Sequence, residues 1–197
     1  DVAVEEREGT TGRRGVAGTV FVHKIAGAMA DRRESLEEVH RVAQKCVDSV
    51  RTLGVALSPC IVPGRDKPNF ELGADEMELG IGIHGEPGVE RTSLRPAREL
   101  VEGMMDRIVG DLPFRRGQEV AVMVNGMGAT PLMELYVIFN EVAKYLDRAG
   151  IETYRSYVGE YMTSLEMAGF SITLLALDEE LKDLLDHPCE TPALTQR

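Results

Sequence analysis

The chain has 197 residues, 43% of them hydrophobic and 28% charged, and a formal net charge of -11. A chain of this size can bury a substantial core. Its acidic balance argues against nucleic acid as a partner, which would need a basic footprint, and leaves small neutral substrates and other proteins open. No apolar run reaches the length that spans a bilayer, so no membrane partner is expected. Cys46, Cys60 and Cys189 are an odd set without metal-ligand spacing, as expected of reduced thiols in a cytoplasmic protein.

Asp1 to Val4 reads as the end of a strand, and Glu5 to Arg14 as a charged loop. Gly9, Gly12 and Gly15 around Arg13 and Arg14 could form an anion nest ahead of a helix. The plainer alternative is a loop that closes a neighbouring site or docks a partner. Val16 to Met29 suits a buried helix through Ala17, Val20, Phe21, Ile25 and Ala28. Ser35 with Glu38 is a capping-box pattern that opens a second helix. Leu36, Val39, Ala43, Cys46, Val47, Val50 and Leu53 trace its stripe, and Gly54 supplies a stop. His23 and His40 inside these helices, and His187 near the carboxy end, have no metal-spaced neighbours and read as structural or surface histidines. Gly54 to Val62, broken by Pro59, is expected to be an edge or bulged strand. Gly64 to Asn69 is a turn-rich link.

The stretch that follows carries the chemistry. From Glu76 to His84 the residues alternate as a strand should, with Met77, Leu79, Ile81 and Ile83 on one face. Glu76, Glu78, Gly80, Gly82 and His84 form the other, so the imidazole stands beside two positions without side chains. Gly85-Glu86-Pro87-Gly88 then has the composition of a turn. The cleared face leaves room for a ligand at His84 or for another backbone, and a strand-end His can also simply bond a neighbouring backbone group. Glu78 is too far along the strand to serve as a base for His84. Glu86 is nearer, either as a solvent-facing turn carboxylate or as the group that orients the ring.

Arg91-Thr92-Ser93 is expected to begin a third helix, striped by Leu94, Ala97, Leu100, Val101, Met104, Met105, Ile108, Val109 and Leu112. Glu119 to Asn125 reads as a short apolar strand ending in Gly126-Met127-Gly128-Ala129. Thr130 can cap the next helix and Pro131 fits its first position. Such a turn can hold an oxyanion or phosphate, and close packing of strand against helix explains the glycines equally well. The lysine and spacing of a nucleotide P-loop are missing. The helix is expected to bury Leu132, Leu135, Tyr136, Phe139, Val142, Ala143 and Leu146 and to stop at Gly150. Two strands, Glu152 to Tyr161 and Phe170 to Leu177, joined by a helical turn from Thr163 to Gly169, could pair antiparallel. Asp178 can cap a last helix from Glu179 to Leu185, and Glu190 to Arg197 looks like a tail. Strands alternating with amphipathic helices predict an α/β fold, a mixed β-sheet with flanking helices.

The run Gly80-Ile81-Gly82-Ile83-His84-Gly85-Glu86-Pro87-Gly88 resembles the histidine motif of the dihydroxyacetone kinase family, in its dihydroxyacetone-binding K subunit. The likeness covers most of the chain. It extends to Thr11-Gly12-Arg13-Arg14-Gly15-Val16-Ala17-Gly18-Thr19, to Ala56-Leu57-Ser58-Pro59-Cys60, to the run from Val124 to Leu135, and to the run from Tyr161 to Phe170. The resemblance implies that His84 is the catalytic and substrate-binding residue, holding dihydroxyacetone as a covalent hemiaminal. It implies that the chain is the carboxy-terminal portion of a two-domain K subunit. Residues 1–53 would finish or bridge from an absent amino-terminal domain, 54–189 would form the α/β domain with the histidine motif, and 190–197 a tail. A second His and an Asp, as acid and base, are expected in the earlier portion, which would leave this fragment alone catalytically incomplete. No cofactor or metal is expected on this chain. Magnesium and ADP or ATP would sit on a partner L subunit, fed by the phosphotransferase system in preference to an ATP-dependent kinase. A cytoplasmic homodimer is the expected state, and a non-catalytic, ketone-binding regulatory relative is the alternative.

Overall fold

The computed structural model describes residues 1–4, 13–68, 70–112 and 114–197. The charged loop expected from Glu5 to Arg14, with its glycines Gly9 and Gly12, therefore lies outside the described residues except for Arg13 and Arg14, as does Asn69 at the end of the turn-rich link.

Two helices, α1 (Gly18–Asp31) and α2 (Leu36–Ser49), precede β1 (Val50–Ala56). Next come β2 (Glu76–Leu79), β3 (Glu90–Ser93), α3 (Ala97–Asp111) and β4 (Glu119–Gly126). The chain continues through α4 (Leu132–Ala149), β5 (Glu152–Gly159), β6 (Gly169–Ala176) and α5 (Glu179–Asp186). A two-residue pair, β7 (Cys189–Glu190) with β8 (Thr195–Gln196), closes the described chain. The six longer strands form one sheet in the order β3-β2-β1-β6-β4-β5, in which only β4 and β5 run parallel.

Both faces of this sheet are covered, and the alternation along its inner strands says by what. Val120, Val122 and Val124 of β4 and Phe170, Ile172 and Leu174 of β6 pack with Leu100, Val101, Met104 and Ile108 of α3 and with Leu135, Val142 and Leu146 of α4. Ala121, Met123 and Leu175 point the other way, against Phe21 and Ile25 of α1, Val42 and Cys46 of α2, and Leu181, Leu184 and Leu185 of α5. Strands buried on both faces read as nearly continuous apolar runs, which is how β4 and β6 appear in the sequence. α1 approaches the sheet closely at Gly18, where a Cβ would lie 3.3 Å from Val50 Cγ2. Beneath it the buried hydroxyls of Thr173 and Thr52 bond at 2.9 Å.

The mixed α/β architecture matches the expectation, and so do the Ser35 and Asp178 caps, which accept from Glu38 N and Leu181 N. The left-handed Gly150 (φ +69°) that ends α4 also agrees. Other expectations need correction. α2 stops at Ser49, and Val50 and Leu53 belong to β1. Its stripe is the narrower Val42 and Cys46, with Leu36 77% exposed. β1 is interior, hydrogen-bonded along one edge to β2 and along the other to β6.

Arg91 to Ser93 pairs with β2 as the edge strand β3, and α3 begins only at Ala97. β5 and β6 do not pair with each other: β4 lies between them, antiparallel to β6. Residues 163–168 form turns without a helix. In α4, Leu132 and Tyr136 are exposed and Ile138 is buried in their stead. Asp1 to Val4 forms a turn whose Val2 N–H donates to Thr52 O at 2.9 Å. The expected tail folds back, with Gln196 Nε2 donating to Leu185 O at 2.6 Å.

Candidate functional site: the His84 loop

β2 ends at Leu79, so the alternation expected to continue to His84 breaks. The cause is Gly80, whose φ of +78° is a left-handed conformation that glycine adopts without strain. Its N–H still donates to Gly54 O at 2.7 Å, and the Val89 N–H donates to Leu79 O at 2.8 Å. Both ends of the loop between them are thus fastened to the sheet.

Inside the loop, Ile81 turns inward and is fully buried with Ala56, Cys60, Met127 and Met167. Its carbonyl passes so near β1 that a Cβ on Gly54 would lie 3.0 Å from the oxygen. The Gly82 N–H donates to Glu86 O, and the Gly85 N–H to Gly82 O, each at 3.1 Å. Glu78, buried on β2, braces the far side by accepting from Gly88 N at 2.7 Å and from Arg91 Nη2 at 2.8 Å. Glu78 therefore shapes the loop without touching His84.

This scaffold leaves the His84 side chain 80% exposed at the surface of the described chain. One group holds it. Glu86 accepts the His84 backbone N–H through Oε2 at 3.0 Å, and its Oε1 lies 3.0 Å from His84 Nδ1. Burial works to raise the Glu86 carboxyl, but the bonds from the His84 ring and backbone outweigh it and hold its pKa below the usual carboxylate value. An ionised Glu86 can only accept, so Nδ1 carries a proton, and in the neutral ring the lone pair is then on Nε2. Of the two roles open to Glu86 in the sequence, its geometry matches ring orientation.

Arg14 reaches this loop from the segment before α1. Its Nη2 donates to Gly80 O at 2.7 Å and pairs with Asp1 Oδ2 at 2.6 Å. The Asp1 side chain is wholly buried, and its Oδ1 accepts from Ala3 N at 2.9 Å. Arg13 makes a two-pronged bond to Asp111, at 2.6 and 2.7 Å, and Arg51 shares the same carboxylate. Asp1, Arg13, Arg14, Gly15 and Arg51 contribute to the lining of a pocket of about 470 Å³. The sequence offers Arg13 and Arg14 only as part of a possible nest. Their carboxylate partners lie far along the chain, where no local pattern could reveal them.

The turn after β4 takes the close-packing alternative. The Gly128 N–H that an oxyanion would use donates instead to Glu160 Oε2 at 3.1 Å. A Cβ on Gly128 would collide with Leu165 O, so the glycine admits the neighbouring turn. Burial raises the Glu160 carboxyl above its usual value despite that bond. Thr130 does not cap α4. Its hydroxyl donates to Gly169 O at 2.7 Å and accepts from Gly169 N at 2.9 Å, tying the turn to the start of β6. His23 and His40 are exposed on α1 and α2, and His187 Nε2 lies 2.8 Å from Asp31 Oδ2. Among the described residues no group of three or more His, Cys, Asp or Glu side chains could hold a metal ion. No helix among them is long and apolar enough to cross a membrane.

Fold and loop together define a three-layer α/β protein that presents an exposed imidazole, His84, oriented by a carboxylate on its own loop. The Dak1 domain model matches residues 1–193, and the chain belongs to that family. It is 55% identical over 194 residues to the dihydroxyacetone-binding subunit DhaK of PTS-dependent dihydroxyacetone kinase 1 from Listeria innocua, covering 98% of this chain and 59% of that protein. Its fold is similar to that of a dihydroxyacetone kinase operon co-activator, DhaQ, with a TM-score of 0.87 at 34% identity, covering 95% of this chain and 58% of the other. The dihydroxyacetone kinase of C. freundii gives a TM-score of 0.82 at 34% identity, covering 97% of this chain and 35% of that one. The chain thus spans well under two thirds of each of these relatives.

Proposed function

We propose that this chain belongs to the dihydroxyacetone-binding subunit of a dihydroxyacetone kinase and holds its substrate as a covalent hemiaminal on His84. The observation that carries the reading is the pairing of His84 Nδ1 with Glu86 at 3.0 Å on a ring that is otherwise open to solvent. Such a ring presents Nε2 as a nucleophile. In the step proposed, the Nε2 lone pair forms a bond to the ketone carbon and the C=O π pair moves to oxygen, which takes a proton from solvent. The Nδ1 proton passes by way of Glu86 to solvent, which leaves the carboxylate as it began, so the net change is addition of N–H across C=O. Glycerol has no carbonyl and cannot form this bond, so the anchor selects ketones and aldehydes over polyols. It also fixes the terminal hydroxyl for in-line transfer of a phosphoryl group.

The phosphoryl donor in this reading is a separate L subunit carrying magnesium and ADP, charged by the phosphotransferase system. The name of the Listeria relative supports that choice over an ATP-dependent kinase. A cytoplasmic homodimer belongs to the same reading. The likeness to an operon co-activator favours a second one, a regulatory protein that binds a ketone without phosphorylating it.

Native mass spectrometry of the full-length protein with dihydroxyacetone tests the anchor. The expected result is a gain of one dihydroxyacetone, lost in His84→Ala and absent with glycerol. An adduct that survives in His84→Ala overturns the assignment. Phosphoryl transfer in the presence of a donor subunit separates the kinase from the regulatory reading.

A further inference from the structure

Gly82 lies between the two charged groups of the loop. A Cβ built there would collide with Glu86 Oε2, would lie 2.7 Å from Glu86 Cδ, and would lie 2.9 Å from Arg14 Nη1. The carboxylate and the guanidinium therefore converge on the space left by the missing side chain. Arg14 is fixed there by Gly80 O and by the buried Asp1 carboxylate. Among the described residues, the charged groups that face Glu86 are Arg14 and His84, and those that face Arg14 are Asp1 and Glu86.

We propose that Arg14 and the bare Gly82 are positioning elements for His84: they seat the Glu86 carboxylate against Nδ1 and so fix the tautomer in which Nε2 is the nucleophile. Neither touches the substrate. A carboxylate on an exposed turn would otherwise sample several rotamers, and the imidazole would divide between its two neutral tautomers. With Arg14 on one side and the Gly82 backbone on the other, Glu86 has one seat, two bonds to His84 and a cation behind it. Lysine could supply the charge but not the fork that holds Gly80 O while facing Glu86. The proposal rests on the reading of His84 as carbonyl nucleophile, and it concerns what makes that nucleophile.

The test compares Gly82→Ala, Arg14→Met and Arg14→Lys with wild type in the full-length protein. ¹⁵N NMR of the His84 ring in the ligand-free state reads the tautomer, and titration with dihydroxyacetone reads adduct formation. Gly82→Ala keeps Arg14, Glu86 and His84 intact. Its collision is with side-chain ends that can swing away, so the fold is retained, and an unchanged thermal midpoint checks this. The expected result is a predominant Nδ1–H form in wild type and a mixed population in Gly82→Ala and Arg14→Met. Both variants should bind dihydroxyacetone about ten- to a hundredfold more weakly, the range for loss of one charged hydrogen bond. Arg14→Lys should fall between them and wild type. Wild-type tautomer populations and affinity in both Gly82→Ala and Arg14→Met would overturn the proposal. A wild type that forms no adduct would instead sink the covalent reading, while the ligand-free spectra still decide the positioning role.

Discussion

A thiol with no exposure reacts only when the chain around it opens. Burial pushes the Cys46 thiol up to about 12, and the side chain is fully enclosed between α2 and the sheet. We expect Cys46 to resist iodoacetamide in the native state near neutral pH and to label stoichiometrically in denaturant, with peptide mapping as the readout. The same scale shows what a sequence can reveal of a site. His84 is legible because its glycines and turn residues are its neighbours along the chain. Glu86 is half legible: proximity marks it, but only the loop closed by the Gly82–Glu86 bond shows that the carboxylate turns back on the ring. Arg14 is illegible as a site residue, since the groups it meets, Gly80 and Gly82, lie on a remote segment that the fold alone brings near.

Between elements, α2 and α5 are joined by charge. Glu180 accepts from both nitrogens of the Arg41 fork and pairs with Lys45, which also reaches Asp178. The Arg41 and Lys45 bonds lower the Glu180 carboxyl from 4.5 to about 2. A carboxyl whose folded value is depressed contributes stability that is fully present above its unfolded value and is lost as pH falls through the folded one. The contribution of Glu180 should therefore fade between about pH 4.5 and 2. Urea midpoints measured across that window should fall more steeply in wild type than in Glu180→Gln, and because the pair is partly exposed, high salt should shrink the difference.

Element boundaries were the part that sequence periodicity misjudged. Thr92 and Ser93 look like helix-starting residues, yet Thr92 sits opposite Met77 across a strand pair. Val50 and Leu53 fit the stripe of α2 by spacing, and their pairing with Leu175 and Ile172 of β6 decides otherwise. In each case the deciding partner is distant along the chain. The caps at Ser35 and Asp178 were legible because their partners are three residues away.

For the molecule as a whole, alternation of strand and helix made the layered α/β architecture readable. The strand order was not, because nothing local to β6 says that it inserts between β1 and β4. The buried Thr52–Thr173 bond joins β1 and β6 at the centre of the sheet. Replacing either residue by Val should strand the other hydroxyl and cost about 1–3 kcal/mol, whereas the double replacement should cost less than the sum. Chemical denaturation of the four proteins in the cycle would check this, and strict additivity would rule the coupling out.

That same bond links residues 121 positions apart, and it has a kinetic meaning. While the chain is being synthesised, β1 and β4 emerge with the space between them unfilled and their inner edges unpaired. The strand that joins them arrives late. Folding should therefore be governed by high contact order, with β6 as the keystone whose insertion commits the sheet in one cooperative step. A nascent chain halted before β6 would expose two apolar strand edges, and this is the stage at which we expect the protein to depend most on chaperones.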